Sequence, residues 1–448
     1  MTLSDWTAGR WTQQPEVELL GWEIDSRKLQ SGQVFVALKT PQRDGHDFLA
    51  AAAAAGAAAA LVSEPDETVK LPQLVVADTL MAFQAIARAH RRAFPGRVVG
   101  ITGSAGKTST KNLLALMLGS RTWATPGNLN NHLGVPLSLL ALDEIQHDFG
   151  VIEAGISGPN EMDVLAAMIE PDAAIVTLVD HAHTAGLKDL AGVAREKVKL
   201  PQMVIAHGDK VMPAGVATLE PFEALAETRV VVKRVDALGR LAVANTVEFI
   251  VTHQREQTMI GYVLADSAPE TYFMARTTDG MAQNAALAIT IARRWGRSVE
   301  QVQAGLTEWK PAALRGEIRY VADRLVYIDC YNANPAAMRD AMGAFDEMTN
   351  GTSARLFVLG GMEELGAEST ALHEAVGRDL PLRMGDSLAL VGTDAEAVRE
   401  GVISAGGSAD QVEIFEDTDR LARTVAAWTG PVFIKGSRRY RLETLLAE

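Results

Sequence analysis

The sequence predicts an α/β protein with three successive α/β domains. Strand-like apolar segments alternate with helical segments along most of the 448 residues, a pattern typical of parallel sheets with crossover helices. One of these strands is followed by a glycine-rich turn, which indicates a phosphate-binding loop. Breaks at Pro95-Gly96 and Lys310-Pro311 divide the chain. We therefore predict domains at residues 1–94, 95–310 and 311–448.

The first domain contains two apolar segments, residues 33–38 and 73–77, that predict strands. Between them, an alanine-rich tract predicts a helix that reaches Ala55 and stops at Gly56. A short strand over residues 61–62 is expected to follow.

The second domain begins with the most informative segment of the chain. Apolar residues 97–102 predict a buried strand, and residues 108–118 have helical character. Backbone N–H groups of the intervening turn and the helix N-terminus suit phosphate oxygens, while Lys107 suits phosphate charge and Thr108 suits Mg²⁺. We predict that ATP or GTP binds here through Gly103, Ser104, Ala105, Gly106, Lys107, Thr108 and Ser109. A common loop of this type would carry glycine at position 101, where this chain has Ile101.

Polar residues also follow the next two predicted strands. Glu153 ends the apolar segment 149–153, and the segment 174–179 leads to His183. Because the carboxyl ends of parallel strands meet at one edge of a sheet, these side chains and Thr108 predict a Mg²⁺ shell. The alternatives are a surface carboxylate for Glu153 and an ordinary loop histidine for His183.

Two further loops carry clustered asparagines. One contains Asn130 and Asn131, and the other contains Asn332 and Asn334. Each is either a polar binding loop or plain turn and helix-capping chemistry.

The rest of the chain completes the predicted architecture. Residues 228–275 predict antiparallel hairpins added to the parallel sheet of the central domain, and residues 281–295 predict a helix. In the third domain, five strand-like segments alternate with helices, which indicates a second doubly wound, Rossmann-like sheet.

Composition limits the partners and the compartment. The net charge of −14 argues against nucleic-acid or anionic membrane surfaces as partners. The single cysteine, Cys330, suits a reducing cytosol. No signal peptide and no bilayer-spanning apolar segment of about 18 residues is visible, so we expect a cytoplasmic protein without stable membrane insertion.

Several motifs together resemble those of one family, the Mur ligases, which are ATP-dependent amide-forming enzymes of peptidoglycan synthesis. The resemblance covers essentially the whole chain. Beside the phosphate-binding loop, it is carried by Asp25-Ser-Arg27, Gly127-Asn-Leu-Asn-Asn131, Tyr331-Asn-Ala-Asn-Pro335, Glu364-Leu-Gly366 and Lys435-Gly-Ser-Arg438. The Asn-Ala-Asn-Pro segment favours the member that adds D-alanyl-D-alanine.

The resemblance implies a reaction and its substrates. The terminal carboxylate of UDP-MurNAc-tripeptide would attack the γ-phosphate of ATP and become an acyl phosphate. The amine of D-Ala-D-Ala would then displace phosphate through a tetrahedral intermediate. The chain is expected to act as a monomer.

The resemblance also implies roles for individual residues. Ser26 and Arg27 would contact UDP, with Asn130 and Asn131 in the substrate site. Asn284, Arg315, Asn332 and Asn334 would contact ATP. Of two Mg²⁺ ions, the first would be bound by Thr108 and Glu153. The second would be bound by His183 and a carbamylated Lys197, with Lys199 as the alternative to Lys197. The catalytic set implied is Lys107, Glu153, His183 and Lys197.

The chain departs from the usual family pattern at four places. They are Thr184-Ala185, Val198-Lys199, the segment from Gly280 where His-Asn is usual, and Gly361. We interpret them as divergence within an active enzyme. A ligase with a different amine acceptor and a non-catalytic nucleotide-binding paralogue are the alternatives.

Overall fold

The computed structural model describes residues 2–181, 184–239, 245–265, 267–321, 324–352, 354–416 and 418–446. Within these ranges the chain forms sheets of five, nine and six strands, with helices on their faces. The α/β class predicted from the sequence is confirmed. No helix in the described ranges is long and apolar enough to cross a bilayer.

The N-terminal part of the chain forms the five-stranded sheet. Its elements are α1 (Leu3–Thr7), β1 (Arg10–Trp11), β2 (Trp22–Glu23), β3 (Val34–Val36), a 3₁₀ helix (Gly45–Phe48), α2 (Leu49–Ala54), β4 (Ala59–Val62), β5 (Gln73–Val75) and α3 (Thr79–Ala93). The strand order is β1-β5-β4-β3-β2, and only β1 pairs antiparallel. The alanine tract behaves as predicted, because α2 stops before Gly56, whose φ is +90°, and the chain then enters β4.

The central part forms the nine-stranded sheet. Its elements are β6 (Arg97–Thr102), α4 (Lys107–Leu118), β7 (Thr122–Ala124), α5 (Gly134–Leu140), β8 (Phe149–Glu153), α6 (Glu161–Ile169), β9 (Ala173–Val176), α7 (Thr184–Leu187), α8 (Leu190–Lys197), α9 (Lys199–Gln202), β10 (Asp209–Pro213), α10 (Ala214–Ala217), α11 (Glu220–Glu223), β11 (Arg229–Arg234), β12 (Thr246–His253), β13 (Gln257–Val263), β14 (Glu270–Ala275), α12 (Asp279–Arg294) and α13 (Val299–Glu308). The strand order is β14-β13-β12-β11-β10-β9-β6-β8-β7.

The antiparallel addition is smaller than the sequence predicts. Only the pairs β12–β13 and β13–β14 are antiparallel, whereas β11 is parallel to both β10 and β12. The prediction of a hairpin at β11 is therefore wrong. The crossover through α10 and α11 makes β11 parallel to β10. The pairing of β11 with β12 was missed because apolar strands carry no sign of their relative direction.

Strand β6 lies between β9 and β8, and both of its faces are buried. Val99 and Ile101 belong to the apolar cluster beneath α4 and α12, while Val98 belongs to the cluster on the opposite face. Burial on both faces explains the continuous apolar sequence of this strand. The carboxyl ends of β6, β8 and β9 consequently meet at one edge, as the sequence predicts.

The C-terminal part forms the six-stranded sheet. Its elements are β15 (Glu317–Val321), β16 (Arg324–Asp329), α14 (Pro335–Met348), β17 (Leu356–Gly360), a 3₁₀ helix (Gly366–Glu368), α15 (Ser369–Arg378), β18 (Ser387–Val391), α16 (Ala395–Ser404), a 3₁₀ helix (Ala409–Gln411), β19 (Val412–Ile414), α17 (Thr418–Ala427), β20 (Val432–Lys435) and 3₁₀ helices at Arg438–Tyr440 and Leu442–Leu446. The order is β15-β16-β20-β17-β18-β19. All pairs are parallel except the edge pair β15–β16, which the sequence did not reveal.

A buried arginine with two carboxylate partners stabilises the C-terminal sheet. The fully buried Arg355 guanidinium donates to Asp386 Oδ2 at 2.6 Å and to Asp346 Oδ1 at 2.6 Å. Removing one partner of such a pair leaves an uncompensated buried charge.

We expect Arg355→Met to lower the free energy of unfolding by about 3–5 kcal/mol, because Asp386 keeps its burial and loses its cation. Urea denaturation measures the change. The matched control is Arg399→Met, which removes an exposed pair with Glu396 and should cost no more than about 1 kcal/mol. Equal losses in the two variants would contradict this account.

Candidate active site

A cavity of about 660 Å³ lies at the carboxyl edge of the central sheet and extends to the start of the C-terminal sheet. Most of the residues predicted from the sequence line this cavity. They are Ser104, Ala105, Gly106, Lys107, Thr108, Ser109, Asn130, Asn131, Glu153, Asn284, Arg315, Asn332 and Asn334. Two distant parts of the chain therefore share one site.

Two glycines shape the loop between β6 and α4. Gly103 has φ +154°, and a Cβ there would lie 1.9 Å from Thr177 Oγ1. Gly106 has φ +80°, and a Cβ there would lie 2.4 Å from Asn284 Nδ2. Only glycine fits both positions. The loop is held against the end of β9, because Thr177 Oγ1 donates to Ala105 O at 2.5 Å.

Lys107 begins α4 and lies beneath this loop. Its Nζ donates to Gly103 O at 2.8 Å. Burial lowers the pKa of Lys107; the Glu153 carboxylate opposes this shift and Arg315 adds to it. A phosphate group beside the ammonium would supply the missing negative charge. Helix N-terminus, loop and lysine thus form an anion site.

Glu153, at the end of β8, is the central carboxylate of the site. Its Oε1 accepts hydrogen bonds from Thr108 Oγ1 at 3.2 Å and from Asn130 Nδ2 at 2.8 Å. Its Oε2 is buried without a hydrogen-bond partner. A carboxylate oxygen and a hydroxyl are ligands that Mg²⁺ prefers. The residues present therefore fit a divalent cation at Thr108 and Glu153.

Lys111 is a site residue that sequence analysis missed. It is buried in α4, one turn after Lys107, and its Nζ lies 3.7 Å from Glu153 Oε2. The same ammonium donates to Thr125 O at 2.6 Å and to Gly127 O at 3.2 Å. The available signal was a lysine at i+4 from Lys107, on the face of α4 that the apolar periodicity places inward.

The two asparagines after β7 have different tasks. Asn131 Oδ1 accepts from the Leu133 and Gly134 N–H groups, so it organises the first turn of α5. Asn130 turns to the cavity and donates to Glu153. Asn131 thus makes turn contacts at the rim of the cavity, while Asn130 belongs to the carboxylate network.

Lys197 is buried at the end of α8. Burial and the nearby Lys107 lower its pKa well below the ordinary value. No ion pair joins it to a carboxylate within the described residues. Lys199, in contrast, is partly exposed and pairs with Asp163 at 2.7 Å and Glu196 at 2.6 Å. These ion pairs account for the position of Lys199. Of the two lysines, only Lys197 is fully buried with a strongly lowered pKa.

His183, predicted as a catalytic and metal-binding residue, lies outside the described residues. Its neighbour Asp180 is described, and the Asp180 Oδ2 accepts from Ala336 N at 3.1 Å. No group of three or more His, Cys, Asp or Glu side chains forms a metal cluster in the described part of the chain.

The C-terminal wall of the cavity meets the phosphate-binding loop directly. Asn334 caps α14 by accepting from Ala337 N at 2.9 Å, and its Nδ2 donates to Ser104 O at 3.4 Å. Arg315 lies over the Tyr331 ring at 3.9 Å and faces the same space. Asn334 therefore caps α14 and also contacts the phosphate-binding loop.

Ser26 and Arg27 do not line this cavity. They follow β2 in the N-terminal part, where the Arg27 guanidinium pairs with Asp25 Oδ2 at 2.7 Å and its side chain is 76% exposed. The structure thus keeps these two residues apart from the phosphate site.

At the four places where the sequence departs from the family pattern, the residues present make defined contacts in the structure. Thr184 Oγ1 donates to Leu365 O at 2.9 Å, so this position helps to join the central and C-terminal parts. Val198 lies in an apolar core cluster. Gly361 leaves room for the Tyr440 hydroxyl, and Gly280 donates its N–H to Asp340.

Three family models match the chain. The model described as "Mur ligase family, catalytic domain" matches residues 19–91, "Mur ligase middle domain" matches 101–292, and "Mur ligase, glutamate ligase domain" matches 314–438. Together they cover most of the sequence.

Curated relatives and solved structures extend this similarity. The UDP-N-acetylmuramoyl-tripeptide–D-alanyl-D-alanine ligase of Escherichia coli K12 is 32% identical, over 94% of this chain and 92% of its own length. The enzyme of the same name from Bacillus subtilis 168 is 30% identical, over 96% and 92%. A crystal structure of MurF from Acinetobacter baumannii has a TM-score of 0.85 at 28% identity, covering 99% of this chain and 97% of that one.

We expect Lys197→Met to stabilise the ligand-free protein at neutral pH. The unfolded state keeps an ordinary lysine pKa near 10.5, whereas the folded pKa is lower. Between these values the unfolded state binds more protons, so wild-type stability rises with pH. The gain from the variant is largest below the folded pKa, at about 1.4 kcal/mol for each pKa unit of depression, and vanishes near the unfolded pKa.

Thermal melts across this pH range in CO₂-free buffer measure the effect. Lys199→Met is the control, since this partly exposed lysine loses its ion pairs with Asp163 and the buried Glu196, so the variant should give no stabilising gain. A gain at Lys197 that stays constant with pH would contradict the burial argument.

Proposed function

The chain belongs to the Mur ligase family, and we propose that it joins D-alanyl-D-alanine to UDP-MurNAc-tripeptide in an ATP-dependent reaction. The relatives that carry this name are matched along nearly their whole length. The observation that carries the proposal is the cluster of Lys107, Thr108 and Glu153 at the phosphate-binding loop, inside a cavity that the central and C-terminal parts share.

The reaction brings two anions together, the carboxylate of the tripeptide and the γ-phosphate of ATP. The tripeptide carboxylate attacks the γ-phosphorus of ATP, the bond to the β-phosphate oxygen breaks, and an acyl phosphate forms. The amine of D-Ala-D-Ala then attacks the acyl carbon, phosphate leaves, and the amine nitrogen loses its proton. Lys107 and the loop N–H groups stabilise negative charge on the phosphates, and Arg315 adds a second cation from the opposite wall.

Two Mg²⁺ ions fit this proposal. Thr108 and Glu153 would bind the first ion, because Glu153 Oε2 is a buried oxygen with no hydrogen-bond donor. His183 and Lys197 would bind the second. When bound, the ions neutralise phosphate charge as the carboxylate approaches. Asn130 orients Glu153 through its hydrogen bond to Oε1.

We propose that Lys197 is carbamylated. Burial lowers the pKa of the amine, which favours the neutral nucleophile. The nitrogen attacks the carbon of CO₂, an N–C bond forms, and the nitrogen releases a proton. The product is a carbamate anion, which places a negative charge near the Lys107 ammonium and supplies oxygen ligands.

The N-terminal part would hold the UDP moiety, with Ser26 and the exposed Arg27 as its contacts and Asn131 beside the peptide. We place the domain limits at residues 94/95 and 310/311. We propose that the chain acts as a monomer. The nucleotide substrates place the reaction in the cytoplasm.

The function is tested by phosphate release in mixtures of ATP, UDP-MurNAc-tripeptide and D-Ala-D-Ala. Tripeptides with diaminopimelate or lysine as the third residue are both supplied. We expect release only when all substrates are present, and none from Glu153→Gln. Turnover with a different amine would make the chain a related ligase, and ATP binding without turnover would make it a nucleotide-binding paralogue.

We expect Lys197→Ala to lower kcat by roughly 100-fold, because the second cation loses a ligand. Depleting CO₂ should reduce wild-type activity, and bicarbonate should restore it, but bicarbonate should not restore the variant. Lys199→Ala is the matched control and should keep most of the activity. Activity of Lys197→Ala equal to that of the control would refute the carbamate.

A further inference from the structure

The cavity contains a carboxylate that the phosphate chemistry does not use. Asp340 lies on α14 and lines the cavity, where its Oδ1 accepts a hydrogen bond from Gly280 N at 2.8 Å. Burial raises the pKa of this carboxyl, while hydrogen bonds from the Thr278 side chain and the Gly280 N–H and the positive charge of Lys435 oppose the shift. Such a group is stabilised when a ligand donates a hydrogen bond to it.

Two helices lead from the phosphate-binding loop to Asp340. On α12, Asn284 contacts Gly106, and Gly280 lies one turn earlier, about 6 Å along the axis. On α14, the cap residue Asn334 contacts Ser104, and Asp340 lies about 9 Å further along. The helices converge where Gly280 donates to Asp340. Because the loop, Gly280 and Asp340 line one cavity, we expect a nucleotide whose phosphates occupy the loop to extend towards this point.

Asp340 and Glu153 also lie on opposite sides of strand β6, and the phosphate transfer is expected on the Glu153 side. Glu153 follows β8, which neighbours β6 on one side. Helix α12 packs over β9, β10 and β11, which lie on the other side of β6. A terminal phosphate bound with a metal beside Glu153 would leave the Asp340 end of the cavity for the ribose and the base.

The absence of a side chain at position 280 makes this contact possible. A Cβ at Gly280 would lie 2.5 Å from Asp340 Oδ2. The Gly280 N–H belongs to the first turn of α12, where backbone donors have no partner within the helix. Gly280 and Asp340 therefore act as a pair: the Gly280 N–H and the Thr278 side chain hold the carboxylate, and its remaining lone pairs can accept from a ligand in the cavity.

We propose that Asp340 is a specificity-determining residue that accepts a hydrogen bond from the N6 amino group of adenine. The inference rests on the proposed use of ATP. The ionised carboxylate only accepts hydrogen bonds, so it has no proton to donate to a carbonyl oxygen. It therefore favours the amino group of adenine over the carbonyl oxygen at position 6 of hypoxanthine or guanine.

The test compares dissociation constants for ATP, purine riboside triphosphate and ITP by calorimetry. Purine riboside triphosphate lacks only the amino group. We expect the wild type to prefer ATP over it by roughly 10- to 100-fold, as for a hydrogen bond to a charged group. In Asp340→Ala this ratio should fall towards one. An unchanged ratio would overturn the proposal, even if both affinities fall together as after a structural disturbance.

Two further variants separate recognition from folding. In Asp340→Asn, the amide oxygen still accepts from Gly280 while the NH₂ group faces the base, so binding of ITP should improve relative to ATP. Gly280→Ala displaces the carboxylate and should reduce the same ATP preference. ATP selectivity in both variants equal to that of the wild type would also overturn the proposal.

These binding measurements need no turnover. A wild type that binds ATP with the expected preference but transfers no phosphate would refute the ligase proposal and leave the Asp340 inference intact. A ligase with unchanged selectivity in Asp340→Ala would refute only the Asp340 inference.

Discussion

The site depends on one buried carboxylate, that of Glu153. A buried charge must be compensated, and this one is met by Thr108 and Lys111 of α4 and by Asn130 of the loop after β7. The carboxylate thereby fixes the start of α4, the loop after β7 and the end of β8 relative to one another. Because Oε2 receives no hydrogen bond, the arrangement leaves a place for a cation, and this links the fold directly to phosphate chemistry.

The second wall of the cavity is attached by polar contacts. Asn334 donates to Ser104 O, Asp180 accepts from the first turn of α14, and Thr184 donates to Leu365 O. Hydrogen bonds of this kind form and break more easily than a large apolar interface. Such a wall suits an enzyme that admits two substrates and then excludes water from an acyl phosphate.

Residues near one another in sequence were predicted well. Strand β6, the glycine turn and α4 are adjacent, so spacing alone located Lys107 and Thr108. Glu153 followed from the rule that strand ends share an edge. Lys111 and Asp340 were missed, because a lysine or aspartate inside a helix looks like a solvated side chain until its partners are known. The parallel pairing of β11 was missed because an apolar strand carries no sign of its direction.

The sequence by itself determined the α/β class, the phosphate-binding loop and the family, since these depend on local periodicity and on residues at fixed spacing. Only the tertiary structure decided which side chains share the cavity. It separated Asn130 from Asn131 and Lys197 from Lys199, which are chemically alike and one or two positions apart. It also placed Asp340 against Gly280, 60 residues away. Such contacts arise when helices from different sheets pack together, and burial then changes the hydrogen bonding and pKa of groups that the sequence shows as identical.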